Sequence, residues 1–221
     1  MLAKDLLSDV IPALKTSDTG LDALNWMEVY RVSHLPIVNN ADFLGLISDS
    51  DIYDLNQAEE PIGDHQLSLM RPFVYHYQHI YDVIEIASRL KLTVIPVLDD
   101  NNEYLGVISQ SDLIHKFADL TAAYTPGGII EFEIAASDYS LTEIARIIED
   151  AEAKVLSLYV SQPEPGGRLN ITIKLNRNDI NPVLNAFDRY GYQVKTTYVG
   201  EGASDIRARE NYEALMKYLN I

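Results

Sequence analysis

Ser33-His34-Leu35-Pro36-Ile37-Val38 and Gly45-Leu46-Ile47-Ser48-Asp49-Ser50-Asp51 decide how this chain folds, because both return downstream. Shifted by 60 residues, the first falls on Thr93-Val94-Ile95-Pro96-Val97-Leu98. After one inserted residue the second falls on Gly106-Val107-Ile108-Ser109-Gln110-Ser111-Asp112. Further upstream, Asp22 meets Asp82, Arg31 meets Lys91 and Pro12 meets Pro72. Residues 1–58 and 62–120 are therefore two copies of one unit. Two copies are too few for a solenoid, in which several stacked units share a continuous core, so the spacing predicts a pseudo-two-fold pair packed face to face.

Working outward, each copy parses by period. Leu21, Leu24, Met27 and Val32 recur at near-helical spacing, as do Ile80, Val83, Ile84, Ala87 and Leu90 in the second copy. A β-branched run through the proline follows, then a polar turn (39–42 and 99–102), then a second apolar run ending at Ser48 or Ser109. Ile52 to Leu55 and Leu113 to Phe117 read as a last helix. Each repeat is thus predicted as helix, strand, strand, helix.

Composition sets the outer limits. The chain has 221 residues, is 47% hydrophobic, has no cysteine and carries a net charge of −16. A chain so acidic repels the phosphate backbone of nucleic acids and anionic membranes, so neither is an expected partner. Lacking cysteine, it has no disulfides, thiolate nucleophiles or Cys-based metal sites, which fits a reducing compartment. Acids interrupt the first residues before any signal-like apolar run, and the apolar runs are strand-sized. The chain is expected to be soluble and cytoplasmic.

Both copies resemble CBS domains, and two in tandem resemble the regulatory pair called a Bateman module. The residues carrying the resemblance are the Leu/Ile-Pro-Ile/Val strand and the Gly-x-Ile-Ser-x-Ser-Asp turn, each present twice. The resemblance implies an adenine nucleotide or related adenosyl ligand (AMP, ADP, ATP or adenosylmethionine) in the cleft between the copies. It places the hydroxyl residue and the acid three residues later at the start of the last helix. A carboxylate on a helix's first turn can accept two hydrogen bonds from a ribose diol, which suits Asp51 and Asp112. Ser48 and Ser109 can direct a hydroxyl to a phosphate held by free N–H groups. The family more often has threonine there, so the hydroxyl is kept and a methyl lost. His34, Leu35, Pro36 and Ile37, with Val94, Ile95, Pro96 and Val97, are the candidate slot for the base. Arg31 and Lys91 could neutralise phosphate or serve as solvated helix-end cations. Ser-x-x-Asp is also a capping box, complete without any ligand.

Beyond residue 120 the small, proline-glycine punctuated stretch 121–128 reads as a linker. Strand 129–134, a helix opened by Ser140-Leu141-Thr142-Glu143, strands 155–160 and 169–175, a helix from Asn178-Asp179-Ile180 to about Tyr190, and a strand from 191 to about 199 follow. Residues 163–167 read as a turn between the two middle strands. That order is the split βαβ plan of a ferredoxin-like sandwich. Over 128–200 it resembles an ACT domain, carried by Leu141 to Ile148 and by Val155 to Leu158. The ligand loop of that family usually holds a glycine two residues before the helix leucine, where this chain has Tyr139. Assembly is then the expected task of this domain, with amino-acid binding as an alternative. Residues 201–221 place Ile206, Tyr212, Leu215, Met216 and Leu219 near one helical face, predicting a terminal helix that docks on its own chain or a second subunit.

The expected fold class is α+β: a tandem CBS pair, a ferredoxin-like ACT domain and a terminal helix. This order resembles the acetoin-utilisation B type proteins. The expected function is non-catalytic ligand sensing as a homodimer, both families being usually dimeric. A scaffold with no small-molecule ligand is the alternative. No cofactor, catalytic residue or metal ligand is expected. His76 and His79 alone have ligand-like spacing, and they read as surface loop residues.

Overall fold

The computed structural model describes residues 1–54, 58–65, 69–162 and 167–199. Two compact units divide the chain, residues 1–117 and 118–221.

In the first unit the repeat is visible element by element. The first copy runs α1 (Gly20–Tyr30), β1 (His34–Asn39), β2 (Asp42–Ser48) and α2 (Asp49–Tyr53). After the two-residue strand β3 (Val74–Tyr75), the second runs α3 (Ile80–Leu90), β4 (Val94–Leu98), β5 (Tyr104–Ser109) and α4 (Gln110–Leu120). Helices α1 and α3 open on matching capping boxes, Thr19 with Asp22 and His79 with Asp82, which satisfy first-turn N–H groups. Both end at a residue in the left-handed region, Arg31 (φ 55°) and Lys91 (φ 54°). The core-facing residues of α1 differ in part from expectation. Ala23 and Met27 are buried while Leu21 is 44% exposed, because the stripe reaching the sheet runs through the smaller side chain.

Each hairpin is antiparallel and carries a register shift, between Ile37 and Val38 in one and Val97 and Leu98 in the other. Gly45 and Gly106 stand opposite these bulges with φ of 156° and 150°. A side chain at Gly45 would also press within 2.6 Å of Leu69 Cβ, so the repeated glycine follows from backbone geometry. Leu35, Ile37 and Ile47 share one core with Leu92, Val94, Leu98 and Val107 of the other copy, so the repeats are built around common apolar contacts. A second cluster under α3 gathers Ile80, Val83, Ile95, Val97 and Ile108.

The second unit runs β6 (Ile129–Ile134), α5 (Leu141–Asp150), β7 (Val155–Ser161), β8 (Leu169–Leu175), α6 (Asn181–Arg189) and β9 (Val194–Tyr198). Its antiparallel sheet has the order β7-β8-β6-β9, the arrangement of a ferredoxin-like sandwich. Ile130, Phe132, Ile171, Ile173 and Leu175 face Ile144, Ile147, Ile148, Val183 and Phe187 of the helices. Helix α6 begins later than its sequence suggested. Asp179 Oδ1 accepts from Asn181 N (3.1 Å), and Pro182 follows within the first turn. Gly127 and Gly128, read as linker, pack against strand β8: Gly128 O accepts from Leu175 N (2.9 Å), and a Cβ on Gly127 would collide with the Leu175 carbonyl. The turn at 163–166, Leu55 and the terminal segment 201–221 lie outside the described residues. No helix among the described residues is long and apolar enough to cross a membrane.

Candidate functional site

Each repeat of the first unit carries a serine and an aspartate on its strand-to-helix turn. Ser109 Oγ donates to Asp112 Oδ2 (2.7 Å) and accepts from Asp112 N (2.9 Å). Ser48 Oγ does the same with Asp51 (2.7 and 3.2 Å), and Asp51 Oδ2 also accepts from Ser48 N (2.8 Å). Both turns are therefore working helix caps as they stand. Their surroundings differ. Ser109 is 6% exposed with Asp112 half-buried, whereas Ser48 is half-buried and Asp51 exposed.

A cleft of about 620 Å³ opens around the buried pair. Ser109, Gln110, Ser111, Asp112 and Ile114 form one wall, Tyr30, Arg31 and Val32 come from the end of α1, and Ser8, Val10 and Ile11 close the third side. Thr93 lies between them. Shifted by the repeat offset, the entry segment Ser8 to Ile11 falls on Ser68 to Arg71, of which Ser68 is outside the described residues.

The floor between the repeats is hydrogen-bonded across the pseudo-dyad. Thr93 Oγ1 accepts from Ser33 N (2.9 Å) and lies 3.0 Å from His34 Nδ1. Ser33 O accepts from Asp49 N (3.1 Å) and Thr93 O from Gln110 N (2.9 Å), so each last helix is tethered at its first N–H to its own repeat's strand entry. Burial pushes the His34 imidazole below the usual histidine range, with Asp49 and Asp51 opposing it.

Of the twelve candidate residues, the structure brings Ser109 and Asp112 into the cleft. Ser48 and Asp51 form the equivalent turn on the other side, with the half-buried His34 near the latter. The side chains of Leu35, Pro36, Ile37, Val94, Ile95, Pro96 and Val97 are buried in the core, so only their backbone is left to face a ligand. Arg31 lines the cleft, and sequence reasoning had weighed it. It missed Tyr30, Val32, Thr93 and the 8–11 segment. The repeat alignment held a signal for Thr93, the small polar partner of Ser33 immediately before the strand.

His76 and His79 do separate jobs. His76 Nε2 is 3.4 Å from Asp100 Oδ2, while His79 caps α3 and accepts from Tyr81 N (3.3 Å). In the second unit a concavity of about 430 Å³ is lined by Glu133, Asp138, Glu143, Arg168 and Tyr192 among others. Tyr192 OH donates to Glu143 (2.9 Å), and burial with this bond pushes the phenol up to about 12. Tyr139 is half-buried against the unit's core.

The CBS domain family profile matches residues 3–56 and again residues 68–119. Residues 3–119 are a tandem pair of CBS domains. The CBS pair accounts for the first unit, and the match ends where the second begins. Among characterised relatives, inosine-5'-monophosphate dehydrogenase of Methanocaldococcus jannaschii is 24% identical over 156 residues, 69% of this chain and 30% of that enzyme. The chain spans about a third of the length of such relatives. Among solved structures, a Vibrio cholerae protein ascribed to acetoin utilization is 21% identical, with a TM-score of 0.48 over 56% of this chain and 95% of that one. CBSX2, crystallised in complex with AMP, is 19% identical, with a TM-score of 0.46 over 53% of this chain and 96% of that one.

Proposed function

We propose that this chain is a non-catalytic regulatory protein that senses an adenine nucleotide or related adenosyl ligand through its CBS pair. The observation that carries the reading is the cleft at Asp112. A half-buried carboxylate on the first turn of α4, a buried hydroxyl beside it and a guanidinium from the other repeat face one space of about 620 Å³. In that reading Asp112 accepts the ribose hydroxyls, Ser109 and the α4 N–H groups meet phosphate, and Val32, Ile11 and Ile114 flank the base. Asp51 and Ser48 repeat the chemistry in a more open setting. The second unit, whose ACT-like character is part of the proposal, serves assembly of a homodimer.

Calorimetry with AMP, ADP, ATP and adenosylmethionine tests this. Asp112→Ala removes charge-assisted hydrogen bonds to the ribose and is expected to weaken binding by about 1.5–3 kcal/mol, roughly tenfold to more than a hundredfold. Unchanged binding in the Asp51→Ala, Asp112→Ala double variant would overturn the assignment of these carboxylates. The scaffold reading, with no small-molecule ligand, is favoured by one observation: both caps are complete without one. A parent protein that binds none of the four compounds would establish it.

A further inference from the structure

Arg31 is the only basic side chain among the described residues lining the Asp112 cleft, and Asp112 is the only acid. It reaches the cleft because α1 ends there in the left-handed region, which turns the chain across the end of the helix. The remaining wall is hydroxyl, amide or apolar: Ser8, Thr93 and Ile11, for example, carry no charge. Asp112 Oδ2 already accepts from the Ser109 hydroxyl, and a carboxylate repels an anion, so one guanidinium is left to meet it.

We propose that the cleft is selective for adenosyl ligands bearing one phosphate group, with Arg31 as the residue that sets this preference, and that it discriminates against nucleoside triphosphates. This rests on the nucleotide reading given above and narrows it. A phosphomonoester carries about two negative charges at neutral pH, and one guanidinium can meet them together with the first-turn N–H groups of α4 that Thr93 O and Ser109 Oγ do not take. A triphosphate brings two further anionic groups into a cleft with no second cation among its described lining residues, on a chain whose net charge is −16. Repulsion from the whole molecule then acts on the longer polyphosphate without a local contact to offset it.

The test is calorimetric titration of the full chain with adenosine, AMP and ATP, without magnesium, at two salt concentrations, on the parent and on Arg31→Asn. Asparagine tolerates the left-handed backbone at this position, and a thermal scan without ligand checks that the variant folds. AMP is expected to bind at least tenfold more tightly than ATP. Arg31→Asn is expected to weaken AMP at least tenfold, to leave adenosine within about threefold, and to remove the weakening of AMP binding by added salt. ATP binding as tightly as AMP would overturn the selectivity and leave the nucleotide site standing. Equal loss of adenosine and AMP in the variant would show that Arg31 shapes the cleft and does not read the phosphate. Failure of all three compounds on the parent would remove the underlying nucleotide reading instead.

Discussion

The Thr93 hydroxyl sits 3.0 Å from Nδ1 of His34 and accepts a hydrogen bond from the adjoining Ser33 N–H at 2.9 Å. One side chain of the second repeat thus closes two polar groups of the first, at the point where the two strand entries meet. Because both residues are half-buried, water replaces this hydroxyl poorly.

Thr93→Val keeps the shape and deletes the acceptor. It is expected to cost about 1–3 kcal/mol in urea unfolding, and Thr93→Ser to recover most of that. A loss under about 0.5 kcal/mol in the valine variant would show that the Ser33 N–H finds another partner.

His34 makes stability depend on pH in a defined direction. Its folded value lies below the ordinary 6.5 because burial disfavours the charged ring. Between the two values the unfolded chain binds more protons, so stability is complete above about pH 6.5 and is lost as pH falls. Urea midpoints at pH 7.5 and 5.5 should differ less for His34→Gln than for the parent. An identical response would assign the effect elsewhere. Asp22, held low by Thr19, acts only below its ordinary 3.8 and stays outside this window.

The fold was legible where one residue type has one physical use. The repeated Gly-x-Ile-Ser run marked the second strand of each copy, and Ser-x-x-Asp marked a helix start at both turns. Alternation in 129–134 and 169–175 fixed both inner strands of the second sheet to the residue. The candidate site was less legible. Leu35 to Ile37 and Val94 to Val97, given as the base slot, have their side chains in the core, and apolar strand residues have no polar group to reveal which side faces a ligand. The third wall, Ser8 to Ile11, joins the cleft only through the fold. Its nearest residue in the α4 turn is about a hundred positions away, a separation that local periodicity does not reach.

Residues 1–124 are expected to fold and to keep the nucleotide. The cleft and both first-unit cores lie within residues 1–117. A soluble, folded truncation that no longer binds AMP would place part of the site in the second unit.

Gly127→Ala should destabilise the second unit by about 1–3 kcal/mol or more, because the added carbon runs into the Leu175 carbonyl and backbone must move. The reading is thermal unfolding of the full chain, where the first unit's transition serves as an internal reference. No change in either transition would mean that the 127–128 segment does not pair with β8.

The full chain is expected to be a homodimer through residues 125–221. Edge strand β7 exposes Val155, Tyr159 and Val160 and bears no charge, an edge of the kind that a second copy can cover. Light scattering at low micromolar concentration on the full chain and on residues 1–124 tests this. A monomeric full chain defeats it, and an equally tight dimer of the truncation moves the interface to the CBS pair.

The completeness of the Ser109–Asp112 cap has a calorimetric consequence. In the proposed nucleotide reading, a ribose arriving at Asp112 competes with a hydroxyl already bonded to Oδ2 at 2.7 Å, so the heat of that contact is net of the bond to Ser109. The turn is also formed before the ligand comes, and no ordering of backbone accompanies occupancy. In that reading, occupancy trades partners on a surface that is already finished, and a calorimeter registers the difference between the two sets of bonds.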